Sequence, residues 1–306
     1  MDLISLNYNN KKCIFIIDCL DKIYIVILNI TYRRRLAKGM VHLILYFTVY
    51  SILGWICECV YCAAIDRVWV NRGFLNGPVC PVYGFGALLV IGLLNRFSYN
   101  ILLLFVMAVI ITTAIEYITA VILENAFDLK WWDYSNYKFN YKGRICVLNS
   151  VLFGVLSVFL VKVLHPFIIS KISLIPAKFA LIAAVVIIII FIIDIIATVT
   201  SLVDMNEMLK KITQMNVELK GLGISMDKLN DFEFDKVVNL LKKTSDIKGF
   251  KSKFEDTYNN FKKMQLRSST QNRLIKAFPN MKSKLYGEQF KKLKDSIIDY
   301  WNKNQN

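Results

Sequence analysis

Residues 177–203 read AKFALIAAVVIIIIFIIDIIATVTSLV, and from Val185 to Ile193 every side chain is aliphatic or aromatic. A helix needs about 20 mostly apolar residues to cross about 30 Å of hydrocarbon, so this stretch is long enough to span a bilayer. Working outward from it, four more apolar runs precede it: Val41 to Ala64, a short one from Val82 to Leu94, Asn100 to Leu123, and Ile145 to Leu164. A water-soluble core can bury one such helix, not five in series. The pattern therefore predicts an all-α, polytopic membrane helix bundle of about five transmembrane helices with a C-terminal soluble helical tail. Residues 40–203 form the transmembrane domain in this reading, 204–306 the tail, and 1–39 an N-terminal extension.

Composition agrees. The chain is 56% hydrophobic against about 45–50% for soluble domains, yet it carries a net charge of +15. The two properties are segregated, with apolar residues filling 40–203 and Lys, Asp, Glu and Asn dominating from 204 onward. The seven cysteines all lie in the first half, without the spacing of a disulfide framework. Cys57, Cys59 and Cys62 have no second pair to complete a structural zinc site, for which four ligands are usual. His42 and His165 read as packing or interfacial residues, so no metal and no cofactor is expected. Residues 13–30 are apolar but hold Asp18, Asp21 and Lys22, which makes a poor span and a poor signal peptide. One reading of Arg33, Arg34 and Arg35 is that purine-rich ribosome-binding codons encode them, with Met40 the start; the other keeps them as protein.

Three spans carry one acid each about two-thirds of the way along: Glu58, Glu116 and Asp194. Alternate spans run in the same direction, so these acids are expected at similar depth, near the side of the two long loops. Ionisable residues within spans are costly, face the bundle interior, and pair or line a pathway. Arg72 and Arg144 in the loops are placed to reach them. Three readings stay open: structural locking of the helices, a substrate, ion or proton pathway, and catalysis. The loops after the first and third spans hold Arg67, Arg72, Lys130, Lys138, Lys142 and Arg144, and the tail adds Lys210 and Lys211. Counted from Met40, the positive-inside bias puts the tail in the cytoplasm of a multi-pass cell-membrane protein; counted with the N-terminal arginines, the bias is nearly even.

Two segments are more than apolar filler. The first joins GWICE at 54–58 to NRGFLNGPVCPVYGFG at 71–86. Gly73, Gly77 and Pro78 permit a tight turn after Asn71, and Pro81, Tyr83 and Gly84 open the short second span. Irregular backbone at membrane depth survives only against protein or water, so this loop is expected to fold back on the bundle. The second segment is Glu116-Tyr117, then WWDYS at 131–135, then NYKGRI at 140–145. Trp131, Trp132, Tyr134 and Tyr137 suit an aromatic belt at the headgroups, and Asp133 is expected to pair with Arg144 across the loop.

On these residues the chain resembles the ABC-transporter type IV (CmpB-like) bacterial membrane permease family. The GWxxE helix, the NRGFLxGPxCPxYGFG stretch, WWDYS and the Gly-Arg pair before the fourth span carry the likeness, over roughly residues 42–203. RLIKAFPNMKS at 273–283 resembles the end of longer members. The resemblance implies a permease-like transport component of unknown substrate, working with a separate ATPase subunit, since the chain has no G-x-x-x-x-G-K-[ST] phosphate loop. Its alternative is a non-transporting membrane scaffold or sensor whose basic tail recruits a partner or lipid. An enzyme acting on lipid would need a nucleophile that no Ser or Cys context suggests, so no catalytic residue is expected.

From Asp204 the tail has 21 Lys or Arg against 13 Asp or Glu, a net of about +8. That excess suits a solvated face, anionic membrane lipid or an acidic partner; without a recognisable motif, no nucleic acid is expected. Leu202, Met205, Leu209, Ile212 and Leu219 recur at heptad spacing, which predicts a helical stalk packing on its own domain or on a second copy through residues 202–219. Gly221 and Gly223 end it. Amphipathic helices are expected around Phe232 to Lys243 and Phe290 to Trp301.

Overall fold

The computed structural model describes residues 37–64, 67, 69–221, 256 and 269–304. Helix α1 is described over Ala37–Ala64. It is followed by α2 (Pro81–Leu94), which a 3-10 turn extends through Asn95–Phe97. Helix α3 (Ile101–Phe127) starts under the side chain of Asn100, which accepts the Leu103 N–H at 3.1 Å. Helix α4 (Val147–Phe159) runs through a π-helical turn at Leu160–Leu164 into α5 (His165–Ile172). The wider turn sits just before Pro166, whose missing N–H and ring disfavour regular α geometry in the preceding turn. Helix α6 (Ala177–Gly221) is a single rod of 45 residues, roughly 68 Å at 1.5 Å per residue. Two helices, α7 (Ser269–Ala277) and α8 (Gly287–Asn304), complete the described chain.

Among the described residues, four helical stretches are long and apolar enough to cross a membrane: α1, α3, α4 with α5, and the first part of α6. The helical membrane bundle stands, and the fifth expected span, α2, is the short one. Its length has a physical cause. The Cys80 N–H donates to the Ser51 carbonyl at 2.9 Å, near the middle of α1. The chain thus enters α2 already half-way along its neighbour, and 17 residues, about 25 Å, cover what remains. Pro81 opens the helix where its absent N–H costs nothing.

Span boundaries shift. Ile145–Cys146 is a strand rather than the start of span four, which instead runs from Val147 to Ile172, and span three extends past Leu123 to Phe127. The loop end also carries two small antiparallel ribbons. Strand β1 (Leu129–Lys130) pairs with β4 (Lys282–Ser283), Leu129 opposite Ser283. Strand β2 (Asn140–Tyr141) pairs with β3 (Ile145–Cys146) across a turn where Lys142 and Gly143 both have positive φ, the backbone that suits a tight hairpin.

The bundle core holds Leu45, Tyr50, Ala87, Ile168 and Ala180, with Val90, Leu94, Leu104 and Val161 where α2, α3 and the π-helical turn meet. A third core forms at the loop end. There Leu202, Met205, Leu209 and Ile212 of α6 meet Leu274, Ile275, Phe290, Leu293 and Ile297 of α7 and α8, with Leu129 and Trp131. The boundary drawn at 203/204 therefore falls inside one helix and one core. Of the two partners the heptad allows, the chain's own α7 and α8 occupy Leu202 to Ile212, so residues 269–304 form a cap rather than a free tail. Helix α6 is described as far as Gly221 and α8 covers the segment expected around Phe290; Gly223 and the helix expected at 232–243 lie outside the described residues.

Candidate functional site

The loop from Asn71 to Cys80 is held from within and from both sides. Within it, the Asn71 Oδ1 accepts the Trp55 Nε1–H at 2.7 Å and the Gly73 N–H at 2.9 Å, while Nδ2 donates to the Asn76 carbonyl. On the α6 side, Asp194 accepts the Asn76 N–H (2.9 Å), the Asn76 side-chain amide (3.0 Å) and the Gly77 N–H (2.7 Å). On the cap side, Arg273 donates to the carbonyls of Gly73 and Phe74, and Thr270 donates to the Asn76 Oδ1. An anion thus takes the loop's free N–H groups and a cation its free carbonyls, which is how buried irregular backbone is kept satisfied. Burial lowers the Arg273 pKa and the Asp194 charge opposes that. Pro78 follows the clamped Gly77, and Leu75 is fully buried beneath the loop.

The acids foreseen as one layer divide between two tasks. Asp194 is committed to the loop. Glu58 and Glu116 belong to a second group: the Tyr83 hydroxyl donates to Glu58, and the Tyr134 hydroxyl bonds Glu116 and Asn149. Tyr134 lies within electrostatic reach of Glu58 and of Tyr83. Burial, then the Glu116 carboxylate, raises the Tyr134 phenol well above its ordinary value, so it is a neutral donor. Arg72 stands 3.8 Å from Glu58 while donating to the Ala277 carbonyl and lying over the Phe278 ring. Two atoms of this group, Glu116 Oε2 and Arg72 Nε, are buried with no hydrogen-bond partner; Glu116 Oε2 is the acceptor of the two. Close helix contact builds the group. Gly54 sits against the Cβ and ring of Tyr83, and Gly84 against Ser51 and Phe47.

Asp133 and Arg144 do not pair. Arg144 forms a forked contact with Glu124, Nε to Oε1 at 3.0 Å and Nη2 to Oε2 at 2.6 Å. Glu124 is only 3% exposed, and Lys284 of the cap adds a second cation at 3.7 Å. The hydrogen bonds Arg144 donates to Glu124 push its pKa further up from its already high value. Asp133 instead takes Lys130 at 2.8 Å and Lys282 of the cap at 2.6 Å, with the Ser135 N–H and hydroxyl. Burial pulls the Asp133 carboxyl upward, but the hydrogen bonds from Lys130, Lys282 and Ser135 outweigh it and hold it well below the usual carboxylate range. Gly143, at φ +66°, packs on this cluster where a Cβ would strike Asp133, Lys130 and Ser135.

The expected aromatic belt is also redistributed. Trp131 is 3% exposed and packs in the cap core against Phe74, Phe127 and Phe278, and Trp132 donates to the Arg144 carbonyl. Glu124 and Thr270 were outside the sequence-derived motifs, while Tyr117 and Arg273 stood in quoted segments without a role. Glu124 follows Glu116 by two turns plus one residue, so extending the third span to Phe127 would have revealed it; Thr270 carries no local signal. Among the described residues no group of three His, Cys, Asp or Glu is placed to hold a metal ion.

A helical membrane bundle with a half-length second helix, a clamped re-entrant loop and a buried Glu–Tyr group is the class of protein this geometry defines. The family model described as "Putative ABC-transporter type IV" matches residues 45–199. The chain belongs to that family. No curated protein and no solved structure matches it.

Proposed function

We propose that this protein is the membrane-embedded, permease-type component of a transport assembly whose ATPase is a separate subunit. The observation that carries the reading is the Glu116 Oε2, buried without a partner in a group that four helices and a loop build around Glu58, Tyr83 and Tyr134. Such an atom is expensive inside an apolar bundle, and a group that binds or relays a cation or proton gives it a use. The loop 71–80 is then a gate, with Asp194 and Arg273 its two latches. In this reading the basic loop end and the cap face the cytoplasm of a cell membrane, following the positive-inside bias, and no step of catalysis is assigned to the chain. Family membership supports a separate ATPase.

The test uses sealed inverted membrane vesicles containing the full chain and its native membrane partners. ATP is added and the solutes accumulated are compared by untargeted mass spectrometry, with a pH-sensitive dye reporting protons. Wild type should change solute or proton content in an ATP-dependent way, and Glu116→Gln should lose that change while melting normally. No ATP-dependent change in wild type, or full activity in a well-folded Glu116→Gln, sinks the reading.

A second reading, a non-transporting scaffold or sensor, is favoured by one observation: the cap binds the loop through Arg273 and Thr270, so a partner that draws on the cap would be felt at membrane depth.

A further inference from the structure

We infer that the groove between α3 and α4 holds one acyl chain of an anionic glycerophospholipid, with the lipid phosphate at Lys142. The groove has room for about 590 Å³ and is open along its length rather than enclosed, so an occupant would lie in it as a chain on a surface. Val109, Thr113 and Tyr117 line it from α3, and Val147, Ser150 and Val151 from α4. Its two hydroxyl-bearing aliphatic residues offer nothing to a polar guest. The Thr113 hydroxyl donates to the Val109 carbonyl at 2.6 Å, and the Ser150 hydroxyl to the Cys146 carbonyl at 3.1 Å. An occupant must therefore be apolar along its length.

The groove's extent matches a chain from one leaflet. Val109 to Tyr117 covers about 12 Å of helix, against about 15 Å for half the hydrocarbon. The outer lip is exposed at Ile110 and Val147, as a lipid-facing surface requires. Only the loop end is polar. There the Tyr117 hydroxyl accepts Arg144 Nη1 at 3.2 Å, leaving its own proton to donate to an ester or phosphate oxygen. Tyr141 closes the end of the groove, and the exposed Lys142 holds its ammonium 5.5 Å from that ring. Arg144 is committed to Glu124, so Lys142 is the cation that faces a phosphate. An apolar slot with a cation and a phenol at one end is the shape of an anionic lipid. The inference does not depend on transport.

The full-length protein, placed in nanodiscs of equal parts phosphatidylglycerol and phosphatidylcholine, is released and weighed by native mass spectrometry. Wild type should retain one phosphatidylglycerol in preference to phosphatidylcholine by about fivefold, the ratio expected from one basic residue at an anionic surface. Lys142→Gln should lose the preference and keep the lipid. Ala114→Phe, which fills the groove from its exposed lining, should lower retention of both lipids, and Val151→Phe does the same from the α4 side. Equal retention of the two lipids by wild type, undiminished retention in both filled variants, or a lipid-free dimer covering the groove would each overturn the assignment.

Discussion

Asp194 and Gly77 lie 117 residues apart, yet the carboxylate Oδ2 of one accepts the backbone N–H of the other at 2.7 Å. The contact joins the middle of the long α6 helix to the tip of a loop that has no regular structure of its own. Helix α6 reaches the loop with Asp194 and the cap core with Leu202 onward, so one rigid rod registers bundle, loop and cap together.

Removing that carboxylate should loosen the loop more than softening it. Asp194→Ala takes the carboxylate from three donors of Asn76 and Gly77, of which only the Asn76 side-chain amide keeps another acceptor, Thr198 Oγ1 at 3.2 Å. It should cost about 3 kcal/mol, since hydrogen bonds to charged groups are worth about 1.5–3 kcal/mol each and compensation is partial. Asp194→Asn keeps one acceptor oxygen and should lose less. Thermal unfolding in detergent measures both, and an unchanged melting temperature for Asp194→Ala would refute the clamp.

Arg273→Ala releases the carbonyls of Gly73 and Phe74 from the cap side. Cys80, at the end of the loop and buried, should then alkylate at least about tenfold faster, following the loss of at least about 1.5 kcal/mol of charged hydrogen bonding. Peptide mass spectrometry of the Cys80 segment gives the rate. Arg273→Lys should not restore protection, because a lysine lacks the planar fork that bridges two acceptors.

The Glu124–Arg144 pair is forked, with its Glu124 end buried and its Arg144 end part-buried. Breaking it should destabilise, by less than the ~3–5 kcal/mol of a fully buried pair, since Lys284 still faces Glu124. The double variant Glu124→Gln with Arg144→Gln should be less damaging than the sum of the singles. Additive losses in a double-mutant cycle would show that the two residues act independently.

Cap docking should depend on acid through Asp133. The folded carboxyl sits below its ordinary value, so its contribution is full above an unfolded pKa of about 3.9. It is lost as pH falls further, through the lower folded value. Hydrogen exchange of residues 282–304 should accelerate only below about pH 4, and Asp133→Asn should raise exchange at neutral pH and remove the acid step. A wild-type profile flat into strong acid argues against the Lys282 contact.

Helix approach at the Glu–Tyr group depends on small residues. Gly54→Ala places a methyl on the Tyr83 Cβ and ring, and Gly84→Ala one on Phe47 and Ser51, whereas nothing lies within 4 Å at Gly86. The first two should lower the melting temperature. Gly86→Ala should hold or raise it, because alanine gains about 0.5–1 kcal/mol over glycine in a helix interior. Equal effects at all three would refute close packing there.

Apolar run length, a local property, was enough to predict an all-α membrane bundle, because bilayer thickness sets how long an apolar helix must be to cross. It did not fix the number of spans, since α2 is cut short by the tertiary contact of Cys80 with Ser51. Turn-forming residues at 73–78 likewise announced a folded-back loop. Arg72 was foreseen near the span acids and stands by Glu58, but the other acid partners were beyond the reach of local pattern: a carboxylate must find donors, and helix rotation and loop path choose among Arg144, Lys130 and Lys282. Asp133 and Arg144 look matched along the chain, and packing sends each to a different partner. The tail shows the same limit. Its heptad spacing demanded an apolar neighbour without naming one, and only the return of residues 269–304 across α6 made that neighbour the protein itself, since burial rewards whichever apolar face arrives and carries no record of its place in the chain.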